Sequence, residues 1–270
     1  MIRWTTRPNK KTFQTEYADA LRPVIGDFFD DVHEELHTLD WNTYREKILR
    51  MDARHEEERL RHNLALVESL FQFKLEGEIF LLGTFEGMDG FARFDRGSHQ
   101  VFLGVDENFD NGKYIDVLTV HELTHVARES RPEVWQGFGL DPKMSRHQFL
   151  ESQPVIEHLM GEGFSCLVSE ILVPGEAPWK YAYQDEASLA SIYKRSAQLD
   201  RVIKEEILHP DGDYGKLYGI RPIFAHYVWA WQWAKQVLEE LAGQDPKKLV
   251  KLCSKELIEH ALRFELGKTT

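Results

Sequence analysis

The stretch from about Tyr114 to Arg128 constrains this chain more than any other. Ile115, Val117, Leu118, Val120, Leu123, Val126 and Ala127 spread over more than one face of the helix that their spacing predicts, so the helix must be buried. Yet its middle reads His121-Glu122-Leu123-Thr124-His125. Two imidazoles and a carboxylate taken out of water each carry a desolvation cost unless something compensates them. A metal ion does so. At about 100° per residue, His121 and His125 lie about 40° apart and approach one cation from the same side, with Glu122 about 60° from His125. That offset suits contact with a metal-bound water better than ligation. Two neutral nitrogen ligands, an open coordination position and a carboxylate that takes a proton from water are what metal-assisted hydrolysis needs. The competing reading is a pair of hydrogen-bonded core histidines beside a structural Glu.

Composition narrows the partners. With 33 Lys+Arg against 45 Asp+Glu the 270-residue chain carries a formal charge of −12, which argues against a binder of phosphate backbones or of anionic membrane surfaces. Its 42% apolar residues are enough for a sizeable core. Two cysteines make no disulfide framework, and Cys166 reads as a small core residue. No run has the length and apolarity of a membrane span, and the basic start is not followed by an apolar stretch, so a soluble, cytoplasmic protein without a secretory signal is expected.

Residues 1–12 read as a loose tail, and helical spacing runs from Phe13 to about Phe73, with the charge-dense 54–62 as a solvated face. The period then changes. Residues 77–85, 90–95 and 99–106 are short, branched and aromatic, separated by Gly-rich turns, and predict a small, mostly antiparallel sheet. Gln100 to Val105 is a candidate edge strand for an extended substrate, or an ordinary interior strand. After the His-bearing helix comes a loop-rich insertion, 131–151. Helices are then expected over 153–173, 185–208, 221–242 and 246–265.

A catalytic zinc usually has three protein ligands. Downstream, Val155, Leu159 and Leu167 mark one buried stripe, and Glu162 stands between Gly161 and Gly163, whose small size lets a second helix come close. The pattern of His-Glu-x-x-His followed by a helix with Gly161-Glu162-Gly163-Phe164-Ser165 resembles the gluzincin metallopeptidases, whose aminopeptidase branch has Asn-Glu-Gly-Phe-Ala at this point. Within that group, the HELTHVAR segment and the modest length look closest to small bacterial predicted zinc-dependent proteases. The resemblance spans roughly residues 78–230. It implies His121, His125 and Glu162 as metal ligands and Glu122 as the base. The 36 residues (126–161) between the second His and Glu162 exceed the usual aminopeptidase spacing, which leaves Glu157, His158 and Glu170 as rival ligands and Glu129 as a weaker one. Residues 104–108 superficially resemble an aminopeptidase strand that lacks its Met here, and read as a strand end and turn.

Related enzymes use a downstream Tyr or His to stabilise the oxyanion. Tyr214, Tyr218, Arg221 and His226 cluster in the sequence, with Tyr218 the first choice for that role and His226 the second. Trp229, Trp231 and Trp233 read as helix packing; His33, His37, His55 and His62 read as solvated, and His147 has no assigned role.

The combined expectation is an α+β, zincin-like fold. A helical N-terminal part (1–76) precedes the sheet and active-site helix (77–130), the insertion (131–151) and a helical C-terminal part (152–270), with 77–270 one catalytic unit. The expected function is a zinc-dependent metallopeptidase with one Zn2+ per chain, acting on a peptide or protein through a Glu-activated, zinc-bound water. A non-catalytic zinc-binding regulatory or chaperone-like module is the alternative. A metal-free helical interaction protein with a chance motif is a further one.

Overall fold

The computed structural model describes residues 2–4, 56–83, 90–95, 98–105, 113–141, 152–209 and 211–268. The helical stretch expected over 13–55 lies outside them, as do His33, His37, His55, His147, residues 106–108 and the 142–151 part of the insertion. The fold is mixed and mostly helical, around one small sheet.

Four strands form that sheet: β1 (Ile2–Trp4), β2 (Gly77–Gly83), β3 (Gly90–Asp95) and β4 (Ser98–Val105), in the order β1-β2-β4-β3. The expected loose tail therefore contains a strand. The mostly antiparallel sheet is also corrected: β1 and β2 run parallel, β2 and β4 run parallel, and only β3 and β4 are antiparallel. Two residues separate β3 from β4, which forces those two to pair as a hairpin. β4 then lies between β3 and β2, and its neighbour β2 points the same way. Val101, Phe102 and Leu103 are buried in succession, as in a strand covered on both faces. Gln100 to Val105 is thus interior, and β3 is the edge strand next to it among the described residues.

Helix α1 (Glu56–Phe71) packs on α2 (Tyr114–Glu129), the helix of the two histidines. Arg59 and Asn63 of α1 both donate to the Asp116 carboxylate, each at 2.7 Å, and Leu60 is fully buried, so the charge-dense stretch is only partly a solvated face. The insertion begins with a short helix, α3 (Pro132–Gln136), anchored by buried Val134 and Trp135; the Trp135 indole donates to the Glu129 carbonyl.

Helix α4 (Val155–Leu172) packs against both α2 and α8 (Ala225–Glu240). A single buried stripe underestimates it. Burial runs almost all round, Val155 to Glu157, Leu159 to Gly161 and Gly163 to Ser169, as expected of a helix with neighbours on several sides. A Cβ added at Gly163 would stand 2.1 Å from the Ala230 carbonyl oxygen, so this glycine sets how closely α4 and α8 approach.

The 185–208 helix is two, α5 (Glu186–Lys194) and α6 (Ser196–Leu208), broken at Arg195. A single turn, α7 (Gly215–Tyr218), precedes α8. The helix expected over 246–265 is replaced by α9 (Pro246–Leu249), a 3-10 turn at Ser254–Leu257 and α10 (Ile258–Arg263). Its missing turns have a physical cause: the carbonyls of Leu249 and Leu252 accept from buried Arg128 instead of continuing a helical ladder. The tryptophans of α8 do pack, and each indole N–H is satisfied, by Asp200, Glu170 and His260 in turn. Among the described residues no helix is long and apolar enough to cross a membrane.

Candidate metal centre

Helices α2 and α4 bring His121, His125 and Glu162 to one point. Nε2 of His121 lies 3.1 Å from Oε2 of Glu162 and 3.2 Å from Nε2 of His125, and His125 Nε2 lies 3.4 Å from the same carboxylate oxygen. Four ligands arranged tetrahedrally about 2.0–2.1 Å from a zinc ion stand about 3.3–3.4 Å from one another, so these three atoms have close to the spacing of three tetrahedral corners. Two imidazoles and one carboxylate are also the donor set of a known class of catalytic zinc sites. Both tests fit a divalent metal, and zinc suits the donors. Among the described residues this is the one group of three such side chains so placed.

Electrostatics agree with a site built for a cation. Burial alone would raise the Glu162 carboxyl, but the charge of His125 and hydrogen bonds from both imidazoles hold it well below its usual value. Burial pushes both imidazoles down. In His121 burial prevails; in His125 the nearby carboxylates, Glu162 above all, prevail and lift it to about 9. The Glu162 carboxylate thus stays charged between two imidazoles, and a metal bound there would displace the N–H hydrogens that now face it.

The rival ligands are used elsewhere. Glu157 is buried against Arg128, whose Nε and Nη2 donate to its two oxygens, and accepts a further bond from Ser254. Glu170 accepts from Trp231 and Lys235. His158 stacks on Tyr214, ring centroids 4.2 Å apart. Glu129 lies 3.5 Å from His99 and acts on His125 only through its charge.

Glu122 is buried beside the triad, near enough that its charge is felt at His125 and Tyr218. The edge strand comes close because Gly90 has no side chain: a Cβ there would stand 3.3 Å from Cγ of Glu122. No family model, curated protein or solved structure matches this chain. The residues around the triad therefore carry the functional argument.

Those residues form an aromatic wall. Tyr218 lies near the triad, its hydroxyl 3.2 Å from that of Tyr227, and the Tyr227 ring stacks on His121 with centroids 6.2 Å apart. Tyr183 stands edge-on to His121 at 5.2 Å. Burial, reinforced by the charge of Glu162, raises both Tyr218 and Tyr227, so both hydroxyls stay protonated and able to donate. Tyr183, which ends the 3-10 turn Pro178–Ala182, and Phe224, which immediately precedes α8, hold left-handed backbone conformations, φ 54° and 61°.

His226 is placed differently. It is fully buried among Tyr214, Tyr218 and Tyr227, with no side-chain hydrogen-bond partner among the described residues and with the Leu217 backbone close enough to act on it. Tyr227, its neighbour on α8, is the residue that faces His121. The sequence does not single out Tyr227 because it and His226 are adjacent buried positions of α8, and only the packing of α8 shows that Tyr227 meets His121. Nor does the sequence mark Tyr183, because nothing in its neighbourhood repeats a pattern. Cys166 is buried core, as its sequence setting predicts, but its Sγ lies 3.9 Å from Nδ1 of His121, and burial raises its thiol well above the usual range, so it stays neutral.

Proposed function

We propose that this chain is a zinc-dependent metallopeptidase that binds one Zn2+ through His121, His125 and Glu162 and hydrolyses a peptide or amide bond. One observation carries the reading: three ligand atoms from two helices converge at 3.1, 3.2 and 3.4 Å with a buried carboxylate, Glu122, beside them. The cluster has three protein ligands among the described residues, where a closed structural zinc has four.

When bound, the zinc polarises the scissile carbonyl and acidifies the attacking water. The chain's own residues do the rest. Glu122 accepts the water's proton on its carboxylate and passes it to the departing amine. The Tyr218 hydroxyl, oriented by Tyr227, donates a hydrogen bond to the carbonyl oxygen as negative charge gathers there. Strand β3, an edge among the described residues, offers an extended peptide a place beside Glu122, because the missing side chain of Gly90 lets the strand approach that carboxylate.

Elemental analysis of protein purified without added metal, joined to an assay on a mixed peptide library, tests this. The expected outcome is about one zinc per chain and cleavage that a chelator abolishes and zinc restores. Purified protein that takes up no zinc, or a zinc-loaded protein that cleaves nothing, would overturn it.

A further inference from the structure

The face of His121 away from the ligand cluster meets a thiol. Cys166 lies one turn beyond Glu162 on α4, so one side of that helix carries both a ligand and the group behind another ligand. Sγ of Cys166 is 3.9 Å from Nδ1 of His121, while Nε2 of the same ring faces Glu162 at 3.1 Å. Both residues are buried, so water does not readily take the thiol's place.

An imidazole presents the Nε2 lone pair to a metal only in the tautomer that has its proton on Nδ1. That proton needs an acceptor, and in metal sites it is usually a carboxylate, a carbonyl oxygen or water. Here the Nδ1 neighbour is sulfur. A neutral thiol has one hydrogen to give and lone pairs to accept with, weak in both directions but able to serve either tautomer. A carboxylate or a carbonyl oxygen serves one only.

We infer that Cys166 is a positioning residue of the metal centre, whose thiol holds the His121 ring through Nδ1 in both the metal-free and the metal-loaded protein. The inference rests on the metal-centre reading above. While the Nε2 hydrogen is given to Glu162, the S–H turns to donate to Nδ1. When Nε2 becomes a ligand, Nδ1–H donates to Sγ. The ring keeps one orientation through loading, and no buried nitrogen is orphaned in either state.

The test compares wild type with Cys166→Ser, Cys166→Ala and Cys166→Val. Ser keeps a group that both donates and accepts; Ala and Val remove it, and Val keeps the space filled. Zinc affinity is read by competition with a chromophoric chelator, and the His121 tautomer by nitrogen NMR of histidine-labelled protein with and without zinc. Thermal melting of the metal-free proteins reports on folding. The Ala and Val variants are expected to bind zinc about tenfold more weakly, the low end of the effect of losing a ligand's supporting partner, with the Ser variant close to wild type. In the metal-free Ala variant the Nδ1 resonance should move, and in the Ser variant it should stay near its wild-type position. If wild type binds zinc and the Ala and Val variants bind equally well, with unchanged His121 resonances, the role of Cys166 is overturned while the metal centre stands. A wild type that binds no zinc overturns both, and the metal-free tautomer then reports the thiol contact by itself.

Discussion

Arg128 and Glu157 meet in the interior, Nε to Oε1 at 2.6 Å and Nη2 to Oε2 at 2.7 Å, and join the two helices that carry His121, His125 and Glu162. Arg128 is three residues past His125 and Glu157 five before Glu162, so the pair fixes the register of α2 on α4 next to the site. The remaining bonds of Arg128 go to the carbonyls of Leu249 and Leu252, and Glu157 also accepts from Ser254. Charges this deep are tolerated because nearly every donor and acceptor is used.

Arg128→Met leaves the Glu157 charge buried with only Ser254 to answer it. A loss of about 3–5 kcal/mol is expected, read as a lower urea midpoint. Adding Glu157→Leu should recover part of this but not all, because the carbonyls of Leu249 and Leu252 still lack a donor. A double variant no better than the single one would mean that the ion pair is not the source of the loss.

Two glycines separated by one residue should respond with opposite signs. Gly163→Ala drives a methyl group into the Ala230 carbonyl, 2.1 Å away, and α4 must move off α8, carrying Glu162 with it. A destabilisation of about 1–3 kcal/mol is expected, together with weaker zinc binding. At Gly161 the nearest atoms to an added Cβ belong to His125, at 3.5 Å, an ordinary contact. Gly161→Ala should leave stability unchanged or raise it by up to about 1 kcal/mol, since alanine is the better helix residue. Thermal melting of both metal-free variants decides.

Turnover should separate from metal content at Glu122. Glu122→Gln is expected to keep its zinc and lose at least about a hundredfold in kcat, because the side chain can no longer take a proton. Tyr218→Phe should lower kcat by about 10²–10³ with KM little changed, if its hydroxyl acts on charge that appears only in the transition state. Metal analysis of each variant alongside steady-state kinetics makes the distinction; a Glu122→Gln enzyme at full rate would remove the base.

Acid should expose His226. Burial pushes this imidazole down to about 4, against an ordinary value of 6.5. Above 6.5 it is neutral both folded and unfolded and contributes no pH dependence. Below 6.5 the unfolded chain takes up the proton and the folded chain does not, so stability falls as the pH drops from about 6.5 to about 4. The loss over that range is on the order of 3 kcal/mol. His226→Phe, which suits the surrounding tyrosine rings, should remove this part of the acid limb. Urea midpoints of the metal-free proteins between pH 7 and pH 4 measure the difference.

Much of this was legible in the linear chain. The apolar residues of 114–128 required a buried helix, and the i, i+4 histidines required a shared face, both consequences of a local 3.6-residue period. The strands at 77–83, 90–95 and 98–105 fall close to the branched and aromatic runs 77–85, 90–95 and 99–106, and Glu162 is marked by its flanking glycines. What the sequence could not determine depends on residues far apart in it. The parallel pairing of β2 with β4 depends on where β3 lands, so alternation within a strand does not reveal it. The 246–265 helix dissolves because its carbonyls serve an arginine more than a hundred residues away. Tyr227, Tyr183 and Cys166 reach His121 only once α4, α8 and the 3-10 turn Pro178–Ala182 that leads into Tyr183 are packed together. Local periodicity fixes which face of a helix a residue shares; which other element that face meets is a property of packing, decided by volume and by the satisfaction of buried polar groups across the whole molecule.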